Sequence, residues 1–376
     1  MRRHTDVRSG HSIALSTYAG DTGMQECKQD RSWRLSAVIG LALFAAQAAF
    51  SLAAHAQTSY ELVPLGSLGG GTTEANAIND VGDVVGCSVA VINGTSKLRG
   101  YVYRNGSMTD IGSLTDGGTS CASDINDAGE ITGYSAASTG ESRAFIFKNG
   151  TMTSLGNQGS SSEGNSINND GLIAGAANGF NGSYAGAFRY DARLPQPLFD
   201  IGNLGGGIIT QARSINATGD ITGWAVNADS RGTSFLYQNG VITDLGLVLG
   251  FPSIADAIND LGQVIGSTQS DGYLYDNGVV TTLPSLGGSG SSPSNINNLT
   301  QIVGSSWTEN GNHAFVITQG QIVDLNDAIV ASSPDKPFVT LDGAADINEN
   351  GWIVANGVDS RTGVRGGYLL RPVAAP

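Results

Sequence analysis

Seven variants of Ile-Asn-Asp-x-Gly-x-Val-x-Gly run through this chain between Ala75 and Ile353. They are anchored at Ile78-Asn79, Ile125-Asn126, Ile167-Asn168, Ile215-Asn216, Ile258-Asn259, Ile296-Asn297 and Ile347-Asn348. Successive anchors lie 47, 42, 48, 43, 38 and 51 residues apart. A period of this size belongs to arrays of small β units, each of which buries its apolar face only against a neighbour. Composition agrees, since Gly supplies 54 of 376 residues and charged residues only 14%. Such a chain suits short strands joined by tight turns better than long amphipathic helices.

Within one copy, Ser120 to Tyr134, apolar residues flank the polar Asn126-Asp127-Ala128-Gly129. That pattern predicts two short strands meeting at a turn, with the Asn side chain bonding nearby backbone and the Gly in the left-handed conformation. The same turn role falls to Asn79 and Gly82, Asn168 and Gly171, Asn216 and Gly219, Asn259 and Gly262, Asn297, and Asn348 and Gly351. The sixth copy departs from the pattern with Thr300 at the turn Gly, and the seventh with Ala355 at the closing Gly. A second hairpin follows in each unit, as in Ala144 to Phe147, then Asn149-Gly150, then Met152 to Leu155. Asn-Gly between apolar segments is a strong hairpin signal. Each repeat is therefore expected to hold about four short strands, the content of one propeller blade.

Strand counting sharpens this expectation. An aromatic strand occurs seven times, around Tyr101, Phe145, Phe188, Phe235, Tyr273, Phe315 and Tyr368, but the strand that follows it occurs only after the first six. The missing copy stands at the other end, at Leu62 to Gly70, with no aromatic strand before it. A ring zipped shut by its own N-terminal strand removes two exposed edges in this way. The expected fold is all-β, a closed seven-bladed β-propeller whose last blade is completed by the strand near Tyr60 to Leu65.

The repeated Ala144-Phe145-Ile146-Phe147-x-Asn149-Gly150, together with Ile-Asn-Asp-x-Gly-x-Val-x-Gly, resembles the bacterial probable extracellular repeat family called HAF. Its His-Ala-Phe is literal at His313-Ala314-Phe315, and its Leu-Gly-x-Leu-Gly-Gly portion is literal at Leu65 to Gly70 and close at Ile201 to Gly206 and Pro284 to Gly288. The resemblance covers residues 60 to 370. It implies export and a repeated β architecture, and it brings no catalytic residue with it.

Ahead of the repeats, Arg31 and Arg34 precede an apolar run from Leu35 to Ala54 that ends in Ala54-His55-Ala56. A basic flank, an apolar run and a small-x-small end predict a secretory signal cleaved after Ala56, a retained membrane anchor being the alternative. Residues 1–56 are thus the leader, with Met24 a candidate start, and residues 57–376 the single propeller domain. The mature chain keeps 13 basic and 29 acidic residues, a formal charge of −16. Such a surface repels nucleic acid and anionic lipid, and no membrane span is expected once the signal is removed. Cys87 and Cys121 remain in it, and export allows either a disulfide between them or two small buried thiols.

Chemistry is less legible. His313 is the one histidine of the mature chain, which argues against hydrolysis by a Ser-His-Asp set and against a His-rich metal centre. The turns lack the alternating oxygens and distal Glu of a calcium loop. No metal or cofactor is therefore expected. Acids that break the repeat, Glu74, Asp116, Glu141, Glu163, Asp229, Asp271 and Glu309, leave a glycan-active hydrolase or lyase as the alternative function, since such enzymes need two carboxyls at a defined separation. The leading expectation is a secreted or periplasmic, non-enzymatic binding scaffold whose partner is a polysaccharide or a cell-envelope protein. Tyr134, Trp224 and Trp307, large rings that break the repeat, are its candidate ligand-binding residues, with filling of the space between blades as their alternative role.

Overall fold

The computed structural model describes residues 58–156, 159–179, 182, 185–250 and 252–373. The leader, the Met24 start and cleavage after Ala56 lie outside the described residues. Each repeat opens on a strand that ends at its Ile-Asn pair and continues outward through antiparallel partners. The first repeat runs Gly69–Ile78, Val84–Ile92, Thr95–Arg104 and Ser107–Asp110 in spatial order. At the Asn-Gly turns both residues take positive φ, as at Asn149 (52°) and Gly150 (77°), the backbone that a two-residue hairpin requires. Thr300 accepts the left-handed turn position with φ 58°, and its hydroxyl donates to Gln263 Oε1 at 3.0 Å.

The expected count of seven blades is corrected by the sheet topology. Five blades form as separate four-stranded sheets, and the strands of the third and fourth repeats are joined in one eight-stranded sheet. The junction is a parallel pairing of Ala185 with Ile209. It arises because the first strand of the fourth repeat, Gly205–Ile215, is 11 residues long and reaches the neighbouring sheet. The periodicity of the sequence marks each repeat but not an edge pairing between two of them.

The N-terminal strand Ser59–Pro64 pairs antiparallel with Val364–Val373, the last strand of the chain. Tyr60 and Leu62 are buried in the cluster that holds Leu341, Ile353 and Leu370, so apolar burial as well as backbone pairing holds this end. The core as a whole lies between successive sheets. Ala77 and Val85 of the first repeat pack on Ile125, Ile131 and Phe145 of the second, and Val354 and Leu369 of the seventh pack on Ile78 and Val84 of the first. The closing glycines explain how closely the strands pack. A Cβ at Gly133 would stand 2.1 Å from the Cys121 carbonyl oxygen, and one at Gly175 would meet the Phe188 ring at 2.4 Å.

The recurring Asn does more than shape a turn. In every repeat its Oδ1 accepts from the backbone N–H four residues on, at 2.8 to 3.0 Å. Its Nδ2 donates to the backbone carbonyl of the Asn in the next repeat at 2.9 to 3.2 Å: Asn79 to Asn126, Asn126 to Asn168, Asn168 to Asn216, Asn216 to Asn259, Asn259 to Asn297, Asn297 to Asn348, and Asn348 back to Asn79. The seven side chains are buried, where an unmet amide or carbonyl is costly. One residue type thus satisfies a turn and a neighbour together and closes a hydrogen-bonded circle.

Candidate functional site

Two openings and one inter-repeat cleft carry the chemistry. At the turn end, the Ile-Asn pairs surround a recess of about 280 Å³ rimmed by Asp80, Asp127, Asn169, Asp260, Asn298 and Glu349. These rim side chains accept from the backbone N–H of the preceding repeat, as Asp127 does from Asp80 at 2.9 Å and Asp80 from Glu349 at 2.8 Å. Ala217 offers no side-chain acceptor in the same position. The acids are therefore committed to the scaffold, and among the described residues no group of three His, Cys, Asp or Glu is placed to hold a metal.

A second opening, of about 480 Å³, is lined by the inward strands of the third to sixth repeats through Glu163, Asn165, Gln211, Arg213, Asp256 and Ser292–Ser294. Arg213 Nη1 lies 2.6 Å from Asp256 Oδ1. Burial pushes the Asp256 carboxyl up to about 6 against the pull of Arg213 and Ser267. Glu163 is reached by solvent from the opening yet surrounded by protein, and that desolvation raises its carboxyl while Arg213 opposes the shift. Deeper in the inner strands, Asp124 accepts from the Ile167 N–H and Asp346 from the Ile78 N–H, both at 2.8 Å. Burial raises both, Asp124 to about 6 and Asp346 to about 7, and the Asp124 charge adds to the Asp346 shift.

The third feature is a cleft of about 290 Å³ between the fifth and sixth repeats, formed by Ser267–Asp271, Ser289–Ser292, Ser305, Trp307 and Asn312. Trp307 is 57% exposed. Ser292 belongs to both the cleft and the second opening, and its Oγ lies 3.4 Å from that of Ser267, which in turn bonds Asp256. Cleft and opening thus form one continuous polar surface.

The residues singled out in the sequence are dispersed over this frame. Tyr134 is half-buried, its hydroxyl raised by burial and by the negative potential of Glu163 and Glu74. Trp224 is half-buried over Gly232, where a Cβ would meet its Nε1 at 2.8 Å, so it fills space beside the strand. Trp307 alone of the three lines one of these cavities. Among the described residues, the opening that receives Glu163 and the cleft that receives Asp271 each hold no second repeat-breaking acid. Glu74 lies 3.5 Å from Arg365, and Glu141 contacts Arg143. Sequence reasoning missed Asp256, Arg213, Asp124 and Asp346, whose signal was a charged residue at an inward position just before Ile-Asn. His313 Nδ1 lies 2.6 Å from Asp324, which caps the short helix Leu325–Ala328 by accepting from Asn326 N–H. Cys87 and Cys121 are joined as a disulfide with Cα atoms 5.0 Å apart, linking the first and second repeats. Asn76 donates to the Ala122 carbonyl at 2.7 Å beside them.

No protein-family model and no curated protein matches the sequence. Among solved structures, the chain is similar to the β-propeller domain of the Trilobed protease from Pyrococcus furiosus. The identity is 10% and the TM-score 0.53, over 82% of this chain and 97% of that one. It is also similar to TolB from Acinetobacter baumannii at 12% identity and a TM-score of 0.40, over 77% and 80% of the two chains. A gluconolactonase from Xanthomonas campestris matches at 11% identity and a TM-score of 0.37, over 67% and 88%. At such identities the first of these shows the β-propeller fold and nothing of activity.

Proposed function

We propose that the protein is an exported, non-enzymatic β-propeller scaffold of HAF-type repeats that binds polysaccharide of the cell envelope or its surroundings. The observation that carries this reading is Trp307, a flat ring 57% exposed at the edge of a cleft whose other side chains are hydroxyls, amides and one carboxylate. An exposed ring beside convergent polar groups suits a ligand with an apolar face and a polar rim, which is the character of a sugar ring. Export is supported by the apolar run Leu35 to Ala54 and its small-x-small end.

A second reading, cleavage of a glycan, is favoured by Glu163 and Asp256, which line one opening with both carboxyls raised, the condition general-acid catalysis uses. A glycan-array screen of the purified chain with and without Ca²⁺, followed by chromatography of any bound glycan for cleavage products, separates the two. Binding without products supports the scaffold, products support the hydrolase or lyase, and no binding to any glycan overturns both in favour of a protein partner.

A further inference from the structure

We infer that the cleft between the fifth and sixth repeats takes an uncharged sugar residue, stacked on Trp307 and held at its hydroxyls by Asp271, Ser291 and Asn312. The inference rests on the polysaccharide-binding reading above and adds the place and the chemical class.

The cleft is built rather than incidental. Its wall is the loop after Pro284, held by Ser306 Oγ, which accepts from Leu286 N–H at 3.0 Å and donates to the Gly290 carbonyl at 2.8 Å. Gly288 lets this loop lie directly on the Trp307 backbone, because a Cβ there would stand 2.2 Å from the Trp307 carbonyl oxygen. Trp307 itself is left 57% exposed and lines the cleft. This gives the Pro284 to Gly288 segment a role in shaping a site.

Unspent hydrogen-bonding capacity gathers at the same place. Ser291 is 6% exposed, and its Oγ has no hydrogen-bond partner among the described residues. A buried hydroxyl without a partner is uncommon; this oxygen is closed off from solvent as it stands, and rotation about χ1 toward the cleft would let a ligand hydroxyl satisfy it as donor and acceptor. Asn312 stands across the strand pair from Trp307. Asp271 accepts at Oδ2 from the adjacent Ser270 hydroxyl at 2.7 Å, which leaves a second carboxylate oxygen for neighbouring sugar hydroxyls.

Charge selects among sugars. Among the described residues no Lys or Arg lines the cleft and Asp271 is its one charged group, within a chain of net charge −14. A uronate or sulfated residue would meet a carboxylate with no compensating cation, whereas a neutral residue meets only donors and acceptors. A lone carboxylate is likewise a poor cage for a divalent cation.

The test is titration calorimetry of the purified full chain with matched sets of neutral and uronate-containing oligosaccharides. Neutral oligosaccharides are expected to bind, Trp307→Ala to weaken them at least thirtyfold, and Trp307→Phe to recover most of that loss. Ser291→Ala and Asp271→Asn are each expected to weaken neutral binding about tenfold, and Asp271→Asn to admit uronates. Thermal unfolding of each variant shows that the fold is kept. Equal or tighter wild-type binding of uronates through Trp307 overturns the neutral class while leaving polysaccharide binding intact. Glycan binding that ignores Trp307→Ala overturns the cleft as the site. Binding unaltered by both Ser291→Ala and Asp271→Asn overturns the polar anchors.

Discussion

Replacing Asn168 separates the two roles of the recurring asparagine. Its Oδ1 accepts from Asp170 N–H at 3.1 Å and Leu172 N–H at 3.0 Å, while its Nδ2 donates across the circle, to Asn216 O at 2.9 Å. Asn168→Ala removes all three bonds and leaves the buried Leu172 N–H unmet, while the Asn216 carbonyl keeps its bond from the Gly219 N–H at 3.0 Å, for a total cost of about 2–4 kcal/mol. Asn168→Asp keeps both acceptor bonds but sets a carboxylate oxygen against the Asn216 carbonyl, so at pH 8 it should cost about 2–4 kcal/mol. Acid then rescues this variant, because its protonated carboxyl again donates. The new carboxyl has a folded pKa raised above its unfolded value of about 3.9. The penalty relative to wild type is therefore full above the folded pKa and shrinks as pH falls toward the unfolded value. Urea unfolding of the wild type and both variants at pH 4.5 and pH 8 measures this directly. If Asn168→Asp matches wild type at pH 8, the amide donor contributes nothing and the asparagines serve their turns alone.

Asp346 gives a pH dependence of the native chain. Its folded pKa stands at about 7 and those of Asp124 and Asp256 at about 6, all above the unfolded range near 3.9. Their protonation therefore favours the folded state, fully so below pH 4, and this stability is lost as pH rises toward 7, at about 1.4 kcal/mol per pH unit for each group in its window. Asp346→Asn should flatten the loss, and equal urea midpoints for wild type and variant at both pH 4.5 and pH 7.5 would sink the assignment. The Cys87–Cys121 bridge closes 34 residues of chain, so its reduction, or Cys87→Ser with Cys121→Ser, should cost about 3–4 kcal/mol and lower the melting temperature by roughly 5 °C. Calorimetry with and without dithiothreitol checks this, unchanged melting being the contrary result.

Much of the fold was legible because its signals are local. The Asn-Gly turns, the positive φ at the turn glycines and the alternation of buried residues each depend on a few adjacent residues. The pairing of Ser59–Pro64 with the last strand was legible too, since a strand missing at one end and surplus at the other is a matter of counting. The site was not legible in the same way. Tyr134, Trp224 and Trp307 looked alike as repeat-breaking rings, yet Trp224 packs over Gly232 while Trp307 stands in the open. Burial of a side chain depends on the neighbouring repeat, whose register the sequence does not state. Asp271 and Trp307 line one cleft although they belong to different repeats, and Asp256 finds Arg213 across 43 residues.

The periodic Ile-Asn motif by itself determined that the chain is an array of β units and where each turn falls, because turn formation is set by backbone sterics within four or five residues. Only the tertiary structure decided how the units join: five separate blades, a shared eight-stranded sheet made by Ala185 and Ile209, and a circle of asparagines whose amides reach from each repeat to the next. It also decided which ring faces solvent and which hydroxyl is left without a partner. Those outcomes depend on the distance between segments some forty residues apart, and such distances exist only once the strands have packed.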